Sequence, residues 1–384
     1  MKLEYYSYTN ETWNQELDST MDSQNTLVMV FGSSNLQINE DALKDINNAF
    51  STSVIVGAST AGEINMDELQ EDSFVVAILQ FQNTKIRLYS QHIDSTKDSY
   101  LIGTKLAENL LEKDLKSIFV LSDGLNINGS QLTNGFNSIL NDNIIVSGGL
   151  AADGDQFKST WTIVDGVRKT NYVTAVGFYG DYIQVGHGFQ GGWDKFGIQR
   201  KVTRAVDNVL YELDNKPALD IYKLYLADKA VELPASGLLF PLELQEDEKK
   251  DTKRTVRTIL AINEDEKSIT FAGDIPEGSL VSLMKANHNR LISGAFDASK
   301  QVKLDSYNNE PILSIAISCI GRKLVLKQLI EDELEATLEN LPQKTKQVGF
   351  YSYGEISPLS SGECDLHNQT MTLTVIWESD APLT

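Results

Sequence analysis

Three times along the chain a short apolar run gives way to an amphipathic stretch, and a second apolar run then stops at glycine. Leu27-Val28-Met29-Val30-Phe31 precedes a helical pattern over 40–50, and Val54-Ile55-Val56 runs into Gly57. Ile118-Phe119-Val120-Leu121, a helical pattern over 131–140 and Ile144-Ile145-Val146 before Gly148 repeat the plan. The third copy is an apolar run over 312–319, a helical pattern over 322–338, and Val348 leading into Gly349. Short apolar, β-prone runs read as strands, whereas a 3.6-residue period reads as a helix with one buried face. Leu27 to Gly57 and Ile118 to Gly148 both span 30 positions, and Ile315 to Gly349 spans 34. The first two copies begin roughly 90 residues apart, which is a period for duplicated domains and too long for a solenoid.

Each copy ends in a glycine loop. Gly57-Ala58-Ser59-Thr60-Ala61-Gly62-Glu63-Ile64 and Gly349-Phe350-Tyr351-Ser352-Tyr353-Gly354-Glu355-Ile356 share one frame, and Gly148-Gly149-Leu150-Ala151-Ala152-Asp153-Gly154 is a weaker relative without the Gly-Glu pair. Between the copies the pattern turns to β. The runs 74–79 and 85–89 around Gln82-Asn83-Thr84, and 172–179 and 182–185 around Gly180-Asp181, read as antiparallel hairpins, as does 202–213 turning at Asp207-Asn208. A helix over 99–112 places Leu101, Leu106, Leu110 and Leu111 on one face. Gly191-Gly192-Trp193 reads as an exposed loop, Pro217 opens a helix over 218–227, and strands follow at 237–240, 256–262, 269–271, 280–284 and 371–377. The charge run from Glu246 to Arg254 reads as a solvated loop. Together these elements predict an α/β protein of mixed sheets in two domains, with duplicated strand-helix-strand-glycine loop units and additional antiparallel hairpins. The expected division is an N-terminal arm or short helix over 1–24, a first domain over 25–217 with internal repeats at 27–112 and 118–213, and a second over 218–377.

Charge narrows the function. Acidic residues outnumber basic ones 54 to 33, for a net charge of −21. Such a surface repels phosphate backbones, and no basic stripe offsets it, so nucleic acid is not an expected partner. No run approaches the roughly 20 apolar residues that span a bilayer, the N-terminus lacks the apolar core of a signal peptide, and two cysteines make no disulfide framework. A cytoplasmic location without membrane insertion is the expectation.

The familiar motifs fail on chemistry. Gly57-x-x-x-x-Gly62 has the glycine spacing of a phosphate loop, but Glu63 stands where that loop needs lysine. Gly186-x-Gly188-x-x-Gly191 matches a dinucleotide fingerprint as a string, yet no helix pattern follows it. Gly57 to Gly62 also falls one residue short of a nucleophile elbow. His92, His187, His288 and His367 are isolated, so no metal site and no cofactor are expected. Cys319 ends an apolar strand and reads as a small buried hydrophobe; a reactive thiol would need its pKa lowered, for which Arg322 is the candidate.

Several blocks in order resemble the FIST family, the paired N-terminal and C-terminal sensory domains of bacterial signalling proteins and some eukaryotic F-box proteins. They are the 56–64 loop, Val202-Thr203-Arg204-Ala205, 211–219, the Ser318-Cys319-Ile320-Gly321-Arg322 block running on to Leu326, the 349–358 loop and Leu366-His367-Asn368-Gln369-Thr370 running on to Thr372, covering about 25–377. The resemblance implies a stand-alone, non-enzymatic sensor that binds a small molecule, with amino acids proposed for the family, and passes its signal to a separate protein. The candidate ligand-binding residues are Ser59, Thr60, Gly62, Glu63, Cys319, Arg322, Tyr353, Gly354, Glu355 and Asn368. Glu63 or Glu355 would meet an ammonium group, and Arg322 a carboxylate. Two alternatives stay open: an interaction module docking through its acidic surface or the 331–339 helix, and an amide hydrolase using Ser59, Thr60 or Cys319.

Overall fold

The computed structural model describes residues 1–35, 40–245, 254–359 and 361–380. It is an α/β structure of mixed sheets in which the duplicated unit is used three times. In each unit two strands lie parallel with a helical connection between them: Thr26–Ser33 with Val54–Thr60, Leu115–Ser122 with Ile145–Leu150, and Ile312–Cys319 with Lys346–Ser352. The return strands Phe74–Gln80, Tyr172–Tyr179 and Met371–Glu378 run antiparallel against the first strand of each pair. An outer strand completes each four: Lys2–Thr9, Lys85–His92 and Ile183–Gln190 respectively.

The three sheets face one another around a shared core. Along Thr26–Ser33, Leu27, Met29 and Phe31 point into that core, while Val28 and Val30 point outward under helix Glu40–Ala49, which buries Ala42, Leu43 and Ile46. Both faces are therefore apolar, which is why these strands carry no alternation in sequence. Phe31 of the first sheet stacks on Phe350 of the third at 4.8 Å, and Phe81 meets Phe178 of the second.

The units are locked by exchange. Past its glycine loop, each chain segment leaves its own sheet and forms a hairpin at the edge of another. Glu63–Asn65 joins Lys346–Ser352, Gly354–Pro358 joins Ile145–Leu150, and Thr162–Val164 joins Val54–Thr60. The register is the same each time, with Gly349 opposite Ile64, Gly148 opposite Ile356 and Gly57 opposite Ile163. The loop that begins at Gly148 therefore takes 15 residues to reach its isoleucine where the other two take 7, and the eight extra residues fall between Asp153 and Thr162.

This ring corrects several sequence expectations. The runs 74–79 and 85–89 belong to different sheets, as do 172–179 and 182–185, so neither pair is a hairpin. Local sequence specifies the turn, but burial on both faces sends the second strand on to the neighbouring sheet. Residues 2–9 form a strand, with Tyr6 and Tyr8 buried. Helix Ser99–Leu110 buries Ile102, Leu106, Ala107 and Leu110, leaving Leu101 and Leu111 nearly half exposed. Trp193 is buried and begins a strand. The helical stretch after Cys319 breaks at Lys327, where φ is 52°, into Ile320–Leu326 and Ile330–Leu338. Helix His288–Gln301 had no counterpart in the sequence reading. The expected charged loop over 246–253 lies outside the described residues.

Between Ile183–Gln190 and His288–Gln301 the third unit carries an insertion built on an eight-stranded sheet. Its end strands, Arg254–Arg257 and Ile259–Asn263, are separated only by Thr258, so one bent stretch of chain supplies both edges and the sheet curls around its own core of Val202, Leu210, Leu244, Phe271 and Leu283. The turn at Asp207-Asn208 joins Trp193–Val206 to Val209–Leu213 as the sequence predicts, and helix Ala218–Leu226 follows Pro217. No helix among the described residues is long and apolar enough to cross a membrane.

Candidate functional site

The glycine loops meet where the exchanged hairpins depart. Ala61 N–H donates to the Tyr351 carbonyl and Tyr351 N–H to the Gly62 carbonyl, Ala152 N–H donates to the Ser59 carbonyl, and Tyr353 N–H to the Leu150 carbonyl. All ten residues singled out from the sequence lie in or beside this junction and are buried.

Glu63 and Glu355 hold equivalent places. The Glu63 carboxylate accepts from the Thr60 hydroxyl and from the Ser73 hydroxyl and N–H; Glu355 accepts from the Ser352 hydroxyl and from the Thr370 hydroxyl and N–H. Each thus ties its loop to the residue just before the return strand. Burial pushes Glu63 up to about 7 and Glu355 up to about 8, against the pull of these donors and of Lys323 and Arg322 respectively. Arg322 is buried against Glu333 at 2.7 Å and donates to the carbonyls of Gly191 and Leu291. Its guanidinium is thus already engaged by protein. Burial raises the Cys319 thiol, with Glu355 adding to the rise, so Arg322 does not activate it. Ser59 Oγ accepts the Trp161 N–H, and Gly62 takes φ of 133° with Lys323 Nζ beside it.

The middle loop departs from this scheme. Thr162 occupies the register position of the two glutamates, and Asp123 takes over their work, accepting from the Thr160 hydroxyl and the N–H groups of Leu125, Asn126 and Asn171. The eight added residues wrap around Asp153, whose carboxylate accepts the N–H groups of Phe157, Lys158 and Ser159 and the Tyr353 hydroxyl. Phe157 is held at φ 52° and stacks on Tyr353 at 4.9 Å.

Phe157 also lines a cleft of about 860 Å³ between the three-sheet body and the insertion. Lys97 and Leu125 stand on the body side, and Asp207, Tyr211 and Leu260 on the insertion side. Lys97 and Asp207 are both exposed and take part in no ion pair among the described residues. At the cleft, Asn128 caps helix Gly129–Asn137 and, with Gln131, donates to the carboxylate of Asp274 from the insertion. No grouping of His, Cys, Asp and Glu among the described residues has the form of a metal site. Sequence reading missed every residue of this cleft. The available signal was spacing, since Gly148 to Ile163 is twice the length of the other loops.

The model of the FIST N domain matches residues 26–216 and that of the FIST C domain matches 218–358. The chain belongs to the FIST family. FIST domains are generally described as sensory domains of signal transduction. The chain is also similar to an uncharacterized protein of Methanocaldococcus jannaschii, MJ1623, at 25% identity over 373 residues, covering 84% of this chain and 68% of that protein. The junction between the two FIST matches falls within the insertion, so the FIST C match contains part of the curled sheet and the parallel strand pair of the third unit.

Proposed function

We propose that this FIST protein senses a small amino acid-like metabolite held in the cleft between the middle loop and the insertion. The observation that carries the reading is the extended loop, which breaks an otherwise repeated design and delivers Phe157 to a cleft with a cation on one wall and an anion on the other, neither in an ion pair among the described residues. A zwitterion satisfies both charges at once, its carboxylate toward Lys97 and its ammonium toward Asp207, while Phe157, Leu125 and Leu260 offer apolar surface to its side chain. In this reading the ten buried junction residues support the cleft and Tyr353 reaches it through Phe157. The output passes to a separate signalling protein.

Thermal shift against a panel of amino acids and related metabolites tests the proposal. A ligand at about 100 times its dissociation constant stabilises by about 2.7 kcal/mol, and Lys97→Gln and Asp207→Asn should each remove the shift without lowering the melting temperature of the free protein. A flat response across the panel, or a shift that survives both substitutions, overturns it.

A further inference from the structure

Tyr353 touches the middle loop that lines one wall of the cleft and, through Asn368, is linked to the insertion that forms the other. Its ring carries Phe157, and its hydroxyl donates to the Asp153 carboxylate and to the Gly154 carbonyl at 2.8 Å. Its backbone carbonyl accepts from the Asn368 side-chain amide at 3.3 Å. The oxygen of that same amide accepts the N–H of Thr258 at 3.2 Å. Thr258 is the bend of the insertion, and the next strand, Ile259–Asn263, supplies Leu260 and Ala261 to the opposite wall of the cleft. Two walls from distant parts of the sequence are therefore joined by three consecutive contacts.

These contacts are well placed to transmit displacement. Tyr353 and Asn368 are buried, so each polar group must keep a partner or lose one outright. Asn368 faces one acceptor and one donor, which leaves its amide a single orientation. Phe157 sits at a positive φ, a conformation that bulky side chains adopt only where surroundings impose it. What imposes it here is the Asp153 turn, which Tyr353 clamps. Anything that presses on Phe157 is thus opposed by the same tyrosine that holds the far wall.

We propose that Tyr353 and Asn368 are positioning residues that couple the two walls, so that the middle loop and the Ile259–Asn263 strand order and loosen together. The proposal builds on the cleft reading but is tested first without any ligand. Amide hydrogen exchange is measured on the full chain as wild type, Tyr353→Phe, Asp153→Asn and Asn368→Ala. Tyr353→Phe keeps the ring stack and removes the hydroxyl; Asp153→Asn weakens the same clamp from the other side. Both should speed exchange over 157–159 by about tenfold and also speed it over 259–263, with the urea midpoint little changed. Asn368→Ala should make 259–263 indifferent to Tyr353→Phe while the loop still responds. Exchange changes confined to 153–159 in both clamp variants, or a response at 259–263 that persists in the Asn368→Ala background, overturn the coupling. A second arm uses L-phenylalanine as the probe: protection of both walls in wild type, but of the loop alone in Asn368→Ala, agrees with the coupling. Protection of both walls in both proteins refutes it. No protection in wild type counts against the cleft reading, and the ligand-free result then decides the coupling by itself.

Discussion

Gly349 lies opposite Ile64 across an antiparallel pair formed by segments from opposite ends of the chain. A Cβ at Gly349 would sit 1.8 Å from the carbonyl oxygen of Ala316, its neighbour on the parallel side. Gly148 would meet the Val120 oxygen at 1.8 Å and Gly57 the Val30 oxygen at 2.4 Å. The first glycine of each loop is therefore required by close approach of backbone in all three units. Gly349→Ala and Gly57→Ala should each lower stability by about 1–3 kcal/mol or more, whereas Gly191→Ala, with no atom within 4 Å and no positive φ, should stay within about 0.5 kcal/mol of wild type. Urea denaturation of the three variants checks the contrast.

The two buried glutamates predict a pH signature. The folded-state pKa of each lies above its ordinary value, so the folded protein holds protons that the unfolded chain releases. Their contribution to stability is fully present below about pH 4.5 and declines as pH rises, through about 7 for Glu63 and about 8 for Glu355. Within that window each group contributes a slope of about 1.4 kcal/mol per pH unit. Glu355→Gln should flatten the stability profile between pH 5 and 8 relative to wild type by about one proton, and Glu63→Gln between pH 5 and 7. Denaturant titrations at several pH values measure the difference. Parallel profiles would mean that the carboxylates are already ionised when folded.

Much of this architecture is written locally. The apolar runs, the helix between them and the glycine that stops the second run are consequences of one strand pair buried on both faces, and they are visible wherever that unit occurs. What the sequence does not display is where a strand goes after its turn. Gln82-Asn83-Thr84 and Gly180-Asp181 have turn chemistry that serves a hairpin or a crossing to the next sheet equally well, and only packing around the common core chooses. The junction residues were legible because Gly62-Glu63 and Gly354-Glu355 repeat; their burial was not, since a carboxylate in sequence carries no sign of Ser73 or Thr370 lying above it. The cleft was illegible because Phe157, Lys97 and Asp207 share no motif and meet only when the insertion docks.

Arg322 and Glu333 predict an asymmetry between single and paired substitution. Both side chains are fully buried, and Glu333 also accepts from the Tyr351 hydroxyl at 2.7 Å. Arg322→Met leaves a carboxylate in the core with its cation gone, and should cost about 3–5 kcal/mol. Replacing both partners by apolar residues, Arg322→Met with Glu333→Leu, removes the uncompensated charge and should recover at least half of that loss. Chemical denaturation of the single and double variants decides it. If the double variant is as unstable as the single one, the carbonyl contacts of Arg322 to Gly191 and Leu291 matter more than the ion pair.

Phe157 offers a test that separates backbone strain from side-chain contact. At φ 52° a phenylalanine bears a penalty of about 1 kcal/mol that glycine does not. Phe157→Ala loses the stack on Tyr353 and keeps the penalty; Phe157→Gly loses the stack and relieves it. Glycine ordinarily destabilises relative to alanine through the entropy of the unfolded chain, by about 0.5–1 kcal/mol in a regular element. Here the order should equalise or reverse, with Phe157→Gly melting no lower than Phe157→Ala, while both lose affinity for whatever the cleft holds because the apolar wall is gone. Calorimetric melting of the two variants reads the first effect and the metabolite thermal-shift panel reads the second. A glycine variant clearly less stable than the alanine one would show that the Asp153 turn does not hold Phe157 in the left-handed region in solution.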